Sequence, residues 1–160
     1  MTEPTWRLAI GSDSAGLEYK EILLADLQKD GRVSSVVDLG VPKEDPENES
    51  YGEVGIRLAE MVAAGDIDRG VLICGTGIGV AISANKVDGV RATVAHDSFS
   101  VERSILSNNV QVLTLGQRVI GPELARRLVK EWLGYVFDPS TPSNEKVQVI
   151  IDYEKHQQDA

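Results

Sequence analysis

Val71-Leu72-Ile73-Cys74-Gly75-Thr76-Gly77-Ile78-Gly79-Val80 is the stretch on which the reading of the fold turns. Apolar residues 71–74 run into a glycine-rich turn, and residues 79–86 then read as a helix. A buried strand entering a helix through a tight turn is the repeating unit of a parallel α/β sheet. The stretch also holds the only cysteine of the chain. A thiol at such a turn faces backbone N–H groups and the positive end of a helix dipole. Both stabilise a thiolate and bind anions. The segment therefore offers a base or nucleophile beside an anion cradle.

Working outward, the same alternation recurs. Residues 7–12 form a first buried strand. Residues 17–29 carry Leu17, Ile22, Leu23, Leu24 and Leu27 at helical spacing. Residues 33–39 predict a second strand, and the polar, proline-containing residues 41–50 a surface loop. A helix over 51–64 is closed by Gly65. Strands over 90–95 and 110–115 flank a helix over 98–106 and the polar turn Ser107-Asn108-Asn109. A helix over 122–135 has Pro122 in its first turn. Residues 138–144 read as a linker, 145–155 as a last helix and 156–160 as a frayed tail. The expectation is one α/β domain over residues 1–160, a three-layer α/β/α sandwich. Its five-stranded parallel Rossmann-like sheet is followed by a C-terminal helix. Ligands of such sheets sit at the carboxyl ends of the strands. The turns that matter are then 11–16, 74–79, 95–98 and 116–121.

Composition narrows the function. A formal net charge of −9 argues against nonspecific nucleic-acid or membrane-surface binding, which needs basic patches. It leaves room for a small anionic substrate held by a local cradle. A single cysteine cannot form an intrachain disulfide and points to a reducing, cytoplasmic setting. No apolar run approaches the roughly 20 residues of a membrane span.

Each candidate residue has a bland reading beside a functional one. Cys74 is either a small buried hydrophobe or a reactive thiolate. Gly75, Gly77 and Gly79 form a tight turn or a nest of N–H groups. Their spacing matches neither a Walker loop nor a dinucleotide fingerprint, so a small oxyanionic substrate fits better than a nucleotide. Asp13 is a helix cap for residue 17 onward that also points into the cleft. His96 is a cap or a catalytic group, and His156 a solvated tail residue. Asn108 and Asn109 are turn residues whose amides could donate to an oxyanion. Arg118 is a surface ion-pair partner or a phosphate clamp. Lys146 is ordinarily a solvated helix residue.

Gly11-Ser12-Asp13-x-Ala15-Gly16, Cys74-Gly75-Thr76-Gly77-Ile78-Gly79, Ala84-Asn85-Lys86, Gly89-Val90-Arg91-Ala92, Ser107-Asn108-Asn109 and Gly116-Gln117-Arg118-Val119-Ile120-Gly121 occur in one order and spacing. In this the chain resembles the ribose-5-phosphate isomerase B / galactose-6-phosphate isomerase family along almost its whole length. The resemblance implies cofactor-free and metal-free aldose–ketose isomerisation through an enediolate. It implies Cys74 as the base, Thr76 assisting proton transfer, and Gly75, Gly77, Gly79 and the Asn108 amide holding the enediolate oxygen. Asp13 would bind substrate hydroxyls, Tyr51 would line the site, and Arg118 and Lys146 would hold the phosphate. It further implies a homodimer or homotetramer with sites at subunit interfaces, residues 138–160 reaching a neighbour.

This sequence departs from the family's pattern at two places. Ser14 follows Asp13 where the family usually has histidine. Ser107 precedes Asn108 where members acting on ribose 5-phosphate usually have the histidine that opens the furanose ring. Serine is a poor general acid or base near neutral pH. The leading expectation is a ribose-5-phosphate isomerase B type enzyme. The alternative favoured by the absent histidine is a tetrose-phosphate isomerase acting on D-erythrulose 4-phosphate, which needs no ring opening. His96 could otherwise open the ring of a pentose. A non-catalytic sugar-phosphate-binding protein and a thiol redox protein are the rivals from other classes.

Overall fold

The computed structural model describes residues 4–39 and 49–160. Its elements are β1 (Trp6–Ser12), α1 (Leu17–Lys29), β2 (Val33–Asp38), α2 (Tyr51–Ala63), β3 (Arg69–Cys74), α3 (Ile78–Asn85), β4 (Ala92–Val94), α4 (Ser98–Leu106), β5 (Val112–Gly116), α5 (Pro122–Trp132) and α6 (Ser143–Gln158). The strands form one five-stranded sheet in the order β2-β1-β3-β5-β4, and every pairing is parallel. The predicted α/β sandwich is what the chain forms.

The layering follows from alternation along the strands. In β3, Val71 and Ile73 turn to the face covered by α1, α4 and α5, where Leu23, Leu27, Ile105, Leu128 and Trp132 are buried. Leu72 and Cys74 turn to the other face, under Val54, Leu58, Val80 and Ala84 of α2 and α3. All six residues of β3 are buried, because the strand is central and covered on both sides. Cys74 thus leaves the sheet on the α2–α3 side. The register sets Cys74 opposite Gly116 and Ile73 opposite Ser12, so the carboxyl ends of β1, β3 and β5 end level.

At the amino end Arg69 opens β3 as a buried cation. Its guanidinium lies 3.8 Å from the centroid of the Trp6 ring and 5.2 Å from that of Trp132. It donates to the Trp132 carbonyl at 3.0 Å and to that of Tyr135 at 2.6 Å. Burial pushes its pKa down to about 10. These bonds fix the direction in which the chain leaves α5. The chain then enters α6, which is tied to the α3–β4 turn by Gln158 on Asp88 and by Glu154 on the Gly89 N–H.

Several predicted boundaries move. α5 stops at Trp132, three residues before the expected end, because Trp132 and Tyr135 turn their carbonyls to Arg69. α6 starts at Ser143 and continues through Gln158, so most of the expected linker end and frayed tail is helical. β4 is shorter than expected, since the Asn85 side chain binds both backbone polar groups of Ala92 and squares off the strand start. Of the expected loop over 41–50, residues 41–48 lie outside the described residues. No described helix is long and apolar enough to cross a membrane.

Candidate active site

Cys74 is 4% exposed at the mouth of the central strand. The chain next turns through Gly77, whose φ of +80° is left-handed. Only a residue without Cβ fits there: a Cβ would stand 2.9 Å from the Leu115 carbonyl carbon. The turn folds the Gly77 N–H back onto the Cys74 Sγ at 3.1 Å. It also opens α3 at Ile78, so the sulfur lies at the first turn of a helix. Thr76 Oγ1 accepts from the Ile78 N–H at 3.2 Å and remains exposed. From below, the buried Thr114 hydroxyl donates to the Gly77 carbonyl at 2.7 Å. Thr114 belongs to none of the sequence motifs; its one signal along the chain is a lone polar residue in an apolar strand.

The end of β5 closes the other side. Gln117 N–H donates to the Cys74 carbonyl and Arg118 N–H to the Gly75 carbonyl, both at 3.0 Å. The Arg118 side chain consequently lies over Gly75, within 3.5 Å of where a Cβ would stand. His96, just past β4, accepts from the Gly116 N–H through Nε2 at 2.9 Å. That bond requires a neutral ring, and burial holds the His96 pKa below its usual value against the opposing pull of Asp97. Asp13 is partly buried just beyond β1. Its carboxylate caps the short 3-10 turn Ser14–Gly16 by accepting from Gly16 N–H at 3.1 Å, one step earlier than the expected cap for α1. Ser14 is exposed beside it. Tyr51 opens α2 under a capping box of Ser50 and Glu53. Its ring rests on Gly79, filling the space a Cβ there would need.

Asp13, Ser14, Tyr51, Cys74, Gly75, Thr76, Gly77, Gly79, His96 and Arg118 therefore share the carboxyl edge of the sheet. Ser107, Asn108 and Lys146 do not join them within one chain. Ser107 and Asn108 follow α4 and precede β5, at the amino end of the sheet, roughly 13 Å of strand away from Gly116. There the Asn109 carbonyl binds Arg91 and Asn109 has a φ of 47°. Lys146 is exposed on the first turn of α6. Among the described residues no group of three or more His, Cys, Asp or Glu is placed to hold a metal ion.

This edge brings a thiol, directed N–H donors and a guanidinium together. That set can move a proton at a carbon while holding an anionic substrate. The comparisons with known proteins give the family. The family model described as Ribose/Galactose Isomerase matches residues 8–150. The chain is 57% identical to D-erythrulose-4-phosphate isomerase 2 of Mycolicibacterium smegmatis over 148 residues, covering 92% of this chain and 97% of that one. It is 44% identical to D-erythrulose-4-phosphate isomerase of Pectobacterium atrosepticum, covering 94% and 98%. Its fold superposes on ribose-5-phosphate isomerase B of Clostridium thermocellum with a TM-score of 0.87 at 37% identity, covering 94% and 99%. The thiol rim and its glycine cradle thus sit in a chain that belongs to the ribose/galactose isomerase family of sugar-phosphate aldose–ketose isomerases.

Proposed function

We propose that the substrate pair is D-erythrulose 4-phosphate and D-erythrose 4-phosphate. The observation that carries the reading is at Ser107. Its hydroxyl accepts from Arg103 Nη1 at 3.2 Å, so the place before Asn108 holds a serine engaged with a permanent cation, and no ring-opening acid. A tetrose 4-phosphate cannot close a furanose ring through its phosphorylated end and needs no such acid. The names of the two relatives above point the same way. A pentose would require another ring opener, and His96 has its Nε2 already occupied by the Gly116 N–H.

In this reading the Cys74 thiolate takes a proton from C1 of the ketose, and the electron pair moves onto the C2 oxygen. The cradle at Gly75, Gly77 and Gly79 and the Asn108 amide hold the enediolate. The same proton returns to C2, and the hydroxyl proton of O1 passes to O2 beside Thr76. Asp13 and Tyr51 orient the substrate, and Arg118 and Lys146 bind its phosphate.

In this reading Asn108 and Lys146 serve the Cys74 of a second copy, which makes the working enzyme at least a homodimer. Two features favour that assembly. β4 is an edge strand, and a cavity of about 770 Å3 runs along it between α4 and α6. Exposed Ile82, Phe99, Ile150 and Tyr153 stand on the helices beside it.

The deciding experiment compares kcat/KM for D-erythrulose 4-phosphate and ribose 5-phosphate. The tetrose should be turned over at least about tenfold more efficiently. Faster turnover of the pentose would return the chain to the ribose 5-phosphate reading.

A further inference from the structure

We infer that Arg103 is a substrate-binding residue of the neighbouring subunit's site, where its guanidinium holds an oxyanion of the phosphorylated sugar. The inference rests on the interface reading above and adds a residue that the sequence motifs did not single out.

Arg103 lies in the last turn of α4, one turn before Ser107. Its carbonyl accepts from both the Ser107 N–H at 2.9 Å and the Asn108 Nδ2 at 3.1 Å. Its own side chain returns to the same place, with Nη1 on Ser107 Oγ at 3.2 Å. Arg103, Ser107 and Asn108 are therefore one rigid unit, and Arg103 and Asn108 line the same cavity beside β4. Nη2 is paired with Glu102 at 3.0 Å, and Nε is buried without a hydrogen-bond partner. The side chain is 41% exposed, so the head of the guanidinium reaches solvent while its stem is fixed.

The chemistry of that unit is selective. A guanidinium keeps its proton at any working pH, so it cannot shuttle one to a ring oxygen. It can hold an oxyanion through a planar fork of donors. Where an Asn108 amide meets an enediolate oxygen, a fixed cation one turn away meets the phosphate or a neighbouring oxygen. The competing account is a surface ion pair with Glu102, which would contribute almost nothing.

Arg103→Gln and Arg103→Lys in the full-length enzyme separate these accounts. The assay uses D-erythrulose 4-phosphate, or ribose 5-phosphate if that proves the better substrate, so a failed substrate assignment leaves this test intact. Arg103→Gln should lower kcat/KM by about 10- to 100-fold, mostly through KM, and weaken competitive inhibition by inorganic phosphate. Arg103→Lys should recover part of both. Mixing Arg103→Gln with Cys74→Ala should restore turnover with the parental KM, because each mixed dimer holds one site with both native residues. A KM and phosphate inhibition within about twofold of the parent overturn the proposal. So does a loss confined to kcat and thermal stability. Absence of recovery in that mixture, when Cys74→Ala and Asn108→Ala do recover one another, also overturns it.

Discussion

The Gly116 N–H donates to His96 Nε2 at 2.9 Å, which ties the end of β4 to the strand position that faces Cys74. The donor is a backbone amide, so the ring must present a lone pair and carry its proton on Nδ1. Arg118, two residues beyond Gly116, is positioned over Gly75 by the same turn.

Because burial depresses the His96 pKa, the unfolded chain takes up this proton first as pH falls. The contribution to stability is unchanged above the ordinary histidine value of about 6.5. A penalty then grows as pH falls through that value, and it levels off below the folded one. His96→Gln keeps an acceptor for Gly116 without titrating. Denaturation midpoints at about pH 7.5 and 5.5 should fall further for the parent than for His96→Gln. Parallel losses in the two proteins would refute the assignment.

Cys74→Ala should abolish turnover while inorganic phosphate still binds, since the backbone N–H groups and Arg118 remain. Asn108→Ala should lower kcat by about 100-fold, the usual scale for one oxyanion donor. Each variant alone is impaired. Mixed, they should regain up to half the parental activity per mixed dimer, because one of its two sites is intact. If mixing regains nothing while the variants form dimers, the shared-site reading falls.

Gly77 carries both strain and space requirements. Gly77→Ala places a Cβ at a left-handed residue and 2.9 Å from backbone carbon, 3.0 Å from Val94 Cγ2. The expected loss is about 2–4 kcal/mol of stability, from the left-handed penalty and the overlap together. Turnover should fall as well, because the N–H that reaches Cys74 Sγ moves. Gly65→Ala is the control: its φ is +77° but nothing lies within 4 Å, so it should cost only about 1–2 kcal/mol. Urea denaturation of the pair measures the difference.

Arg69→Met keeps much of the bulk between the two indoles and removes the donors to Trp132 and Tyr135. The Trp132 carbonyl keeps the Tyr135 N–H at 3.3 Å, but the Tyr135 carbonyl loses its Arg69 donor, which should cost about 1–3 kcal/mol. The segment from α5 to α6 should also exchange its amide hydrogens faster. Unchanged stability and exchange would show that the stacked cation is dispensable.

Much of this protein was legible along the chain because the signals are local. The predominantly apolar runs at 7–12, 71–74 and 110–115 announce buried parallel strands, since strands covered on both faces read as near-continuous apolar runs. The glycine spacing after Cys74 announces a turn that must pass through left-handed backbone, and Gly77 confirms it. The missing histidine at Ser107 was visible as a residue type. What neighbours along the chain could not reveal is which end of the sheet each motif occupies. Ser107 and Asn108 are only nine and eight residues from Gly116 and its pairing with Cys74, yet a strand's rise carries them to the opposite edge. His96 and Arg103 likewise acquire meaning only from a backbone donor at Gly116 and a hydroxyl at Ser107. The order of residues determined the elements, the thiol and its cradle, because those depend on periodicity and on short turns. The tertiary structure decided which groups face one another, because strand register and helix packing set distances between segments that no local propensity encodes.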